Sequence, residues 1–242
     1  MFKNFFPNKI LSLNNKLINS LLIPMILIFF VGLMYALFIS PPDYIQGDSV
    51  RIMYVHVPSS FIALGFFGFI GIASILNLIF KIKFVSLMAK SLAPIGCIFS
   101  LVSIITGSLW GKPTWGTWWV WDARLTSTLI LFFLYASIIS LFSVIDKRQK
   151  ADRASSILSV VGIVIIPVIK KSVDWWQTLH QSSTFSLSSS PSMTSDMYTP
   201  LLACVIAFYL VFILIVLNRL KVEIILRERS TNWVKQQFFN TL

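Results

Sequence analysis

Two residue types in this chain are placed as if for one task. Of its eight tryptophans, five fall within a dozen residues: Trp110, Trp115, Trp118, Trp119 and Trp121. Asp122 and Arg124 follow directly. There are two histidines: His56, in Tyr54-Val-His56-Val-Pro58, and His180, in Asp174-Trp175-Trp176-Gln-Thr-Leu-His180. Neutral imidazole is a good ligand for iron, copper and zinc. Two histidines without a cysteine or carboxylate partner make a poor zinc site. A tryptophan cluster offers flat stacking area at low entropic cost. A metalloporphyrin satisfies both features, because its macrocycle supplies four ligands and the imidazoles supply the two axial ones.

Such a ligand carries carboxylates. Arg51, Arg124, Lys112 and the Lys170-Lys171 pair are the cations on the same side of the chain's topology, and arginine would pair bidentately. Simpler roles compete. Tryptophan favours membrane interfaces, and a lysine pair at a helix end can snorkel. An interfacial belt, however, spreads over both interfaces, whereas these tryptophans concentrate in one loop. Asp122 reads as a helix N-cap that complements the dipole. If the segment after Trp176 is helical, Trp176 and His180 share a face.

The elements that must carry these residues are membrane helices. The chain has 242 residues, 56% apolar and only 12% charged, with a mean hydropathy of +0.81. A soluble domain needs more charged surface than this. Six apolar runs stand out, at about 21–39, 61–80, 92–109, 125–145, 154–169 and 201–217. Most reach the ~18–20 residues that cross ~30 Å of hydrocarbon. The fifth is weak, being short and holding Gly162 and Pro167; a re-entrant segment there would flip everything downstream. The first run exceeds a signal-peptide core and is followed by Ser40-Pro41-Pro42-Asp43, a helix stop, so it is expected to remain as a span. Gly65, Gly68, Gly71 and Gly96 are expected at close helix contacts.

The charge of +11 tests the topology. Fifteen Lys and Arg fall in the N-terminal arm, the 2–3 loop, the 4–5 loop and the C-terminal tail. Five fall elsewhere: Arg51, Lys112, Arg124, Lys170 and Lys171. Positive-inside asymmetry places both termini on the cytoplasmic (or matrix) side and both histidines outside. The other loops hold Asp43, Asp48, Asp122, Asp174 and Asp196, which balance their five cations. The whole excess is therefore a topology signal, and a nucleic-acid partner is not needed to explain it.

Several chemistries are missing. No GxxxxGK[ST], GxSxG or HExxH occurs, and Cys97 and Cys204 form no CxxC pair. Both thiols are expected to pack as small apolar groups. The six apolar runs hold almost no Asp, Glu, Lys or Arg, which argues against a proton-coupled carrier. The Ser-rich stretch 181–195 reads as a mobile outer loop with no motif.

The run Trp115-Gly-Thr-Trp118-Trp119-Val-Trp121-Asp122-Ala-Arg124-Leu-Thr126-Ser127 resembles the WWD signature of haem-handling membrane proteins. Three further blocks are similar to the CcmC family: Arg51 to Pro58, Leu109 to Pro113, and Pro167 to Gln181. The likeness covers roughly residues 45–185. It implies a protein that holds haem b in transit at the outer membrane face and presents it to a CcmE-type chaperone, on which the covalent bond forms. It implies CcmA, CcmB and CcmD as partners and no catalytic role for this chain. His56 and His180 would be the axial ligands. Trp110, Trp115, Trp118, Trp119 and Trp121 would form the platform, with Asp122 and Arg124 anchoring it and Arg124 or Arg51 on the propionates. The Ser-rich loop matches nothing in that pattern.

The expectation is a single all-α domain, residues 1–242, with six spans and outer loops at about 40–60, 110–124 and 170–200. Its setting would be the bacterial inner membrane with the functional face periplasmic, or alternatively the mitochondrial inner membrane. Three alternatives stand beside it. A CcmF-like haem lyase shares the WWD signature but is much longer. A b-type electron-transfer cytochrome keeps its histidines within spans, and none of the six runs contains one. A plain permease subunit leaves the tryptophans and histidines unexplained.

Overall fold

The computed structural model describes residues 7–180 and 193–236. The Ser-rich stretch lies outside them except for its last three residues. Helix α1 spans Pro7–Met34 and ends in a wide turn, Tyr35–Ile39. After a tight turn at Asp48–Ile52 come α2 (Met53–Phe80), α3 (Lys83–Trp115) and α4 (Ala123–Val144). Then follow α5 (Arg148–Gly162), α6 (Ile165–Trp175), α7 (Ser195–Arg227) and a short final turn, α8 (Asn232–Val234). No strand element occurs among the described residues. Six helical paths are long and apolar enough to cross a membrane.

The helices outrun the apolar stretches that mark them. α3 and α7 each have 33 residues, or about 50 Å at 1.5 Å per residue. Hydropathy sees the part that meets lipid, whereas a helix continues wherever its backbone bonds to itself. As a result Trp110 and Trp115 belong to α3 and not to a loop. His56 belongs to α2, three residues from its start, and not to the segment before a span. The polar side chains there are satisfied internally. Ser59 and Ser60 donate back to the Val55 and His56 carbonyls at 2.7 and 2.9 Å.

The fifth path is long and apolar enough to cross and does not turn back. α5 and α6 meet at a break, Ile163–Val164, and together run from Arg148 to Trp175. Pro167 falls in the first turn of α6, where its missing N–H forfeits no helical bond.

α2 and α3 form an antiparallel pair joined by two residues, with Lys81 in left-handed conformation (φ 54°) closing α2. α4 and α7 flank α3, α5 packs on α2 and α4, and α1 lies outermost against α7. Small residues permit the closest contacts. A Cβ on Gly96 would sit 2.3 Å from the Tyr135 ring, and one on Gly71 would sit 2.7 Å from Ile163. Gly65 and Gly68 are less tight. Tyr135, fully buried, donates its hydroxyl to the Ala63 carbonyl at 2.7 Å. Cys97 and Cys204 are free thiols packed into the bundle. Ile10 and Trp233 both pack against the cluster of Leu87, Leu220 and Ile224 at one end of the bundle, so both described chain ends lie away from the tryptophan-rich end.

Candidate functional site

α3 organises the site. Its last four turns present Ser103, Thr106, Gly107, Trp110, Gly111 and Thr114 on one face, the three- and four-residue spacing of a helix stripe. That face borders a cavity of about 250 Å³. α2 contributes His56 and Ser60, α4 contributes Arg124 and Thr128, and the segment after α6 contributes His180. Trp119 closes the cavity from the loop before α4.

Each histidine has a tryptophan of α3 beside it. The His56 and Trp110 rings stand edge to face, with centroids 5.8 Å apart at 76°. The His180 and Trp115 rings lie 6.1 Å apart at 57°. Trp110 is itself fixed, since its indole N–H donates to Gln46 Oε1 at 2.7 Å. His56 lies within electrostatic reach of both His180 and Arg124. Two separated imidazoles therefore face one cavity with an indole next to each.

The loop between α3 and α4 is shaped by its ends. Gly116 takes φ 78°, a left-handed conformation that suits glycine, and terminates α3. Asp122 caps α4, accepting the Leu125 N–H at 2.8 Å through Oδ1. Its other oxygen, Oδ2, is buried without a hydrogen-bond partner, as is the indole N–H of Trp119. A buried donor left unpaired costs about 1–3 kcal/mol.

Of the residues picked from sequence, the structure gathers His56, His180, Trp110, Trp115, Trp119 and Arg124 at the cavity. Asp122 supports the loop from below. Arg51, Trp118 and Trp121 are not brought in, nor are the candidate cations Lys112, Lys170 and Lys171. Arg51 is turned toward α1, donating to the Ala36 carbonyl at 3.1 Å and pairing with Asp48 at 3.0 Å. Trp118 and Trp121 are 54% and 75% exposed and do not line the cavity. Lys112 lies 5.8 Å from the Trp118 ring centroid and donates to the Gly116 carbonyl, which ties it to the loop. The tryptophans do not form one flat platform, since Trp119 and Trp121 meet at 78°. Nor is Trp176 on a helical face with His180: α6 stops at Trp175, and Trp176 is extended (φ −132°, ψ 157°).

Sequence reasoning missed Gln46, Thr106 and the serines of the stripe. The signal was present: small and hydroxylated residues at positions 103, 106, 107, 111 and 114 recur at helical spacing around Trp110. It was split across an expected boundary, since 103 and 106–107 fall in the third apolar run and 111 and 114 in the segment expected to be a loop.

The donor set matches a ligand that brings its own metal environment. Among the described residues no group of three or more His, Cys, Asp or Glu is placed to hold a bare ion. Two imidazoles, apolar walls, a cavity-lining arginine and an unpaired indole donor fit a metalloporphyrin with acidic side chains.

These features define an all-helical, six-span membrane protein with a two-histidine, tryptophan-lined cavity at one end. The profile of the family described as CcmC, Heme exporter protein C, matches residues 1–235. The chain is 42% identical over 205 residues to Heme exporter protein C of Haemophilus influenzae, covering 85% of this chain and 83% of that one. It is 39% identical over 217 residues to Heme exporter protein C of Escherichia coli strain K12, covering 89% and 87%. A ccmC-like mitochondrial protein of cytochrome c biosynthesis from Marchantia polymorpha is 42% identical over 151 residues, covering 62% and 64%. The chain belongs to the CcmC, or Heme exporter protein C, family. Its six apolar helices and bacterial relatives fit a multi-pass inner-membrane protein.

Proposed function

We propose that this protein handles haem for cytochrome c maturation, holding it in transit between His56 and His180 and passing it to a CcmE-type chaperone. The observation that supports this most is the convergence of both histidines, each with its own α3 tryptophan, on one cavity. Arg124 would take a propionate, and the Trp119 N–H is a second donor. Trp110, Trp115 and Trp119 would wall the macrocycle, while Trp118, Trp121 and Asp122 hold or extend the loop. This chain binds and positions, and the covalent bond forms on the partner. CcmA, CcmB and CcmD complete the complex in this reading. The Lys- and Arg-rich end faces the cytoplasm or matrix, which puts the cavity on the periplasmic or equivalent side.

The competing reading is a b-type cytochrome. His56 does lie in a span helix, so the absence of histidine from the apolar runs no longer counts against it. His180, however, lies beyond α6, so the pair does not link two spans.

The test is copurification with CcmE, then haem spectra of the wild type, His56→Ala and His180→Ala. Each substitution should lose the six-coordinate haem spectrum. Full six-coordinate spectra in both single variants would overturn the ligand assignment. A haem that titrates with quinol and is never passed to CcmE would favour the cytochrome.

A further inference from the structure

His56 is held by an arrangement that decides which of its nitrogens can meet a metal. Its Nδ1 lies 3.1 Å from Thr106 Oγ1. A threonine hydroxyl has one proton to give. Here that proton goes to the helix itself: Thr106 Oγ1 lies 2.7 Å from the Val102 carbonyl oxygen, an acceptor only. What Thr106 turns to the imidazole is therefore a lone pair. Nδ1 then carries the hydrogen, which the Ser103 backbone, a second hydrogen-bond partner of the ring, also favours, and in the neutral ring the free lone pair sits on Nε2.

The rest of the stripe fixes where the ring lies. A Cβ on Gly107 would come within 3.1 Å of His56 Cε1 and 3.5 Å of Nδ1, so any other residue would push the ring back from α3 by a few tenths of an ångström. One turn on, Trp110 stands edge-on to the imidazole and is pinned by Gln46. Thr106, Gly107 and Trp110 thus set the tautomer, the depth and the tilt of one side chain.

We propose that Thr106 is a positioning residue that commits His56 to its Nδ1–H tautomer and presents Nε2 to iron, with Gly107 as the slot that admits the ring. This rests on the reading that His56 ligates haem. Hydrogen-bond partners of ligating histidines typically affect metal affinity 10–100-fold.

The experiment titrates hemin into the detergent-purified protein and follows haem loss to excess apomyoglobin. It compares the wild type with Thr106→Val, Thr106→Ala, Thr106→Ser and His56→Ala. Val keeps the shape of threonine without an acceptor, Ala only deletes atoms, and Ser keeps the hydroxyl. The expected result is a 10–100-fold weaker hemin affinity and faster loss for Val and Ala, with Ser close to wild type. The low-spin ferric EPR signal, which reports the electronic setting of the axial imidazoles, should shift for Val and Ala and stay in place for Ser. Wild-type affinity and EPR in either folded Val or Ala would overturn the proposal. So would a loss in Ser equal to that in Ala, since the hydroxyl would then not be the determinant. If His56→Ala itself keeps six-coordinate haem, the ligand reading fails, and that result is distinct from any pattern among the Thr106 variants.

Discussion

The two ends of this bundle treat their carboxylates in opposite ways. At the end that holds both described chain termini, Glu223 is 3% exposed and accepts Lys90 at 2.8 Å and Arg219 at 3.3 Å. Asp152 accepts Arg227 at 3.4 Å and the Ser86 hydroxyl. These contacts tie α3, α5 and α7 together, and Glu223 and Asp152 each have two partners. About 30 Å along α3, at 1.5 Å per residue, the tryptophan-rich end leaves Asp122 Oδ2 and the Trp119 N–H buried and unpaired. Its ion pairs, Arg51 with Asp48 and Lys171 with Asp174, lie on exposed aspartates and contribute little. Asn14, Ser74 and Ser155 also leave a side-chain oxygen unpaired away from the site, so the contrast concerns the acids and not every polar atom. The acids packed into the scaffold are paired, whereas the cavity end leaves an acid oxygen and an indole N–H open beside a place where a ligand would fit.

The largest effects should separate the two ends cleanly. His56→Ala should lower hemin affinity by about 100-fold or more, given that second-sphere changes alone reach that range, and leave thermal unfolding nearly unchanged. Glu223→Ala should do the reverse. Loss of a fully buried pair's partner costs 3–5 kcal/mol, but Lys90 and Arg219 reach solvent, so about 1–3 kcal/mol is expected. For a chain of this size each kcal/mol lowers Tm by roughly 2–4 °C. Thermal melting and hemin titration on both variants decide it. A stable Glu223→Ala protein that cannot bind hemin would break the comparison.

Next in size is a pair of arginines that the sequence could not tell apart. Arg124 lines the cavity and makes no salt bridge among the described residues, whereas Arg51 is spent on Ala36 and Asp48. A charge-assisted hydrogen bond is worth about 1.5–3 kcal/mol, so Arg124→Gln should weaken hemin binding roughly tenfold or more. Arg51→Gln should leave it within about twofold, because exposed pairs are worth little. Equal losses in the two titrations would mean that the turn at Asp48–Ile52 rearranges when haem binds.

The sequence was most readable where one physical rule acts alone. Hydrophobic run length gave the six spans, and Asp122, three residues ahead of the fourth run, is the cap that its type implied. Side-chain chemistry picked the histidines. What could not be read was where helices stop. His56, Trp110 and Trp115 look like loop residues because hydropathy falls before the helix ends, and the backbone pays no penalty for continuing past the hydrocarbon. Arg51 and Trp121 fell in the right motif yet turn elsewhere, since a motif fixes position along the chain and not direction. Thr106 needed the fold outright. Its partner is 50 residues away, and only the α2–α3 packing brings them together.

The smallest effect tests the contrast at a single hydrogen. Trp119→Phe keeps an aromatic wall but deletes the indole N–H that has no partner in the chain. In a scaffold position, losing a hydrogen-bonding group destabilises. Here the group removed is unsatisfied, so the free protein should melt at the same temperature or slightly higher, the relief being up to about 1 kcal/mol. Hemin binding should weaken by about fivefold, the worth of one neutral hydrogen bond near 1 kcal/mol. Trp119→Ala, which also removes the wall, should cost both. Melting curves and hemin titrations on the two variants separate donor from wall. If Trp119→Phe lowers Tm while hemin affinity holds, the N–H serves the scaffold after all, and the two ends differ less than their carboxylates imply.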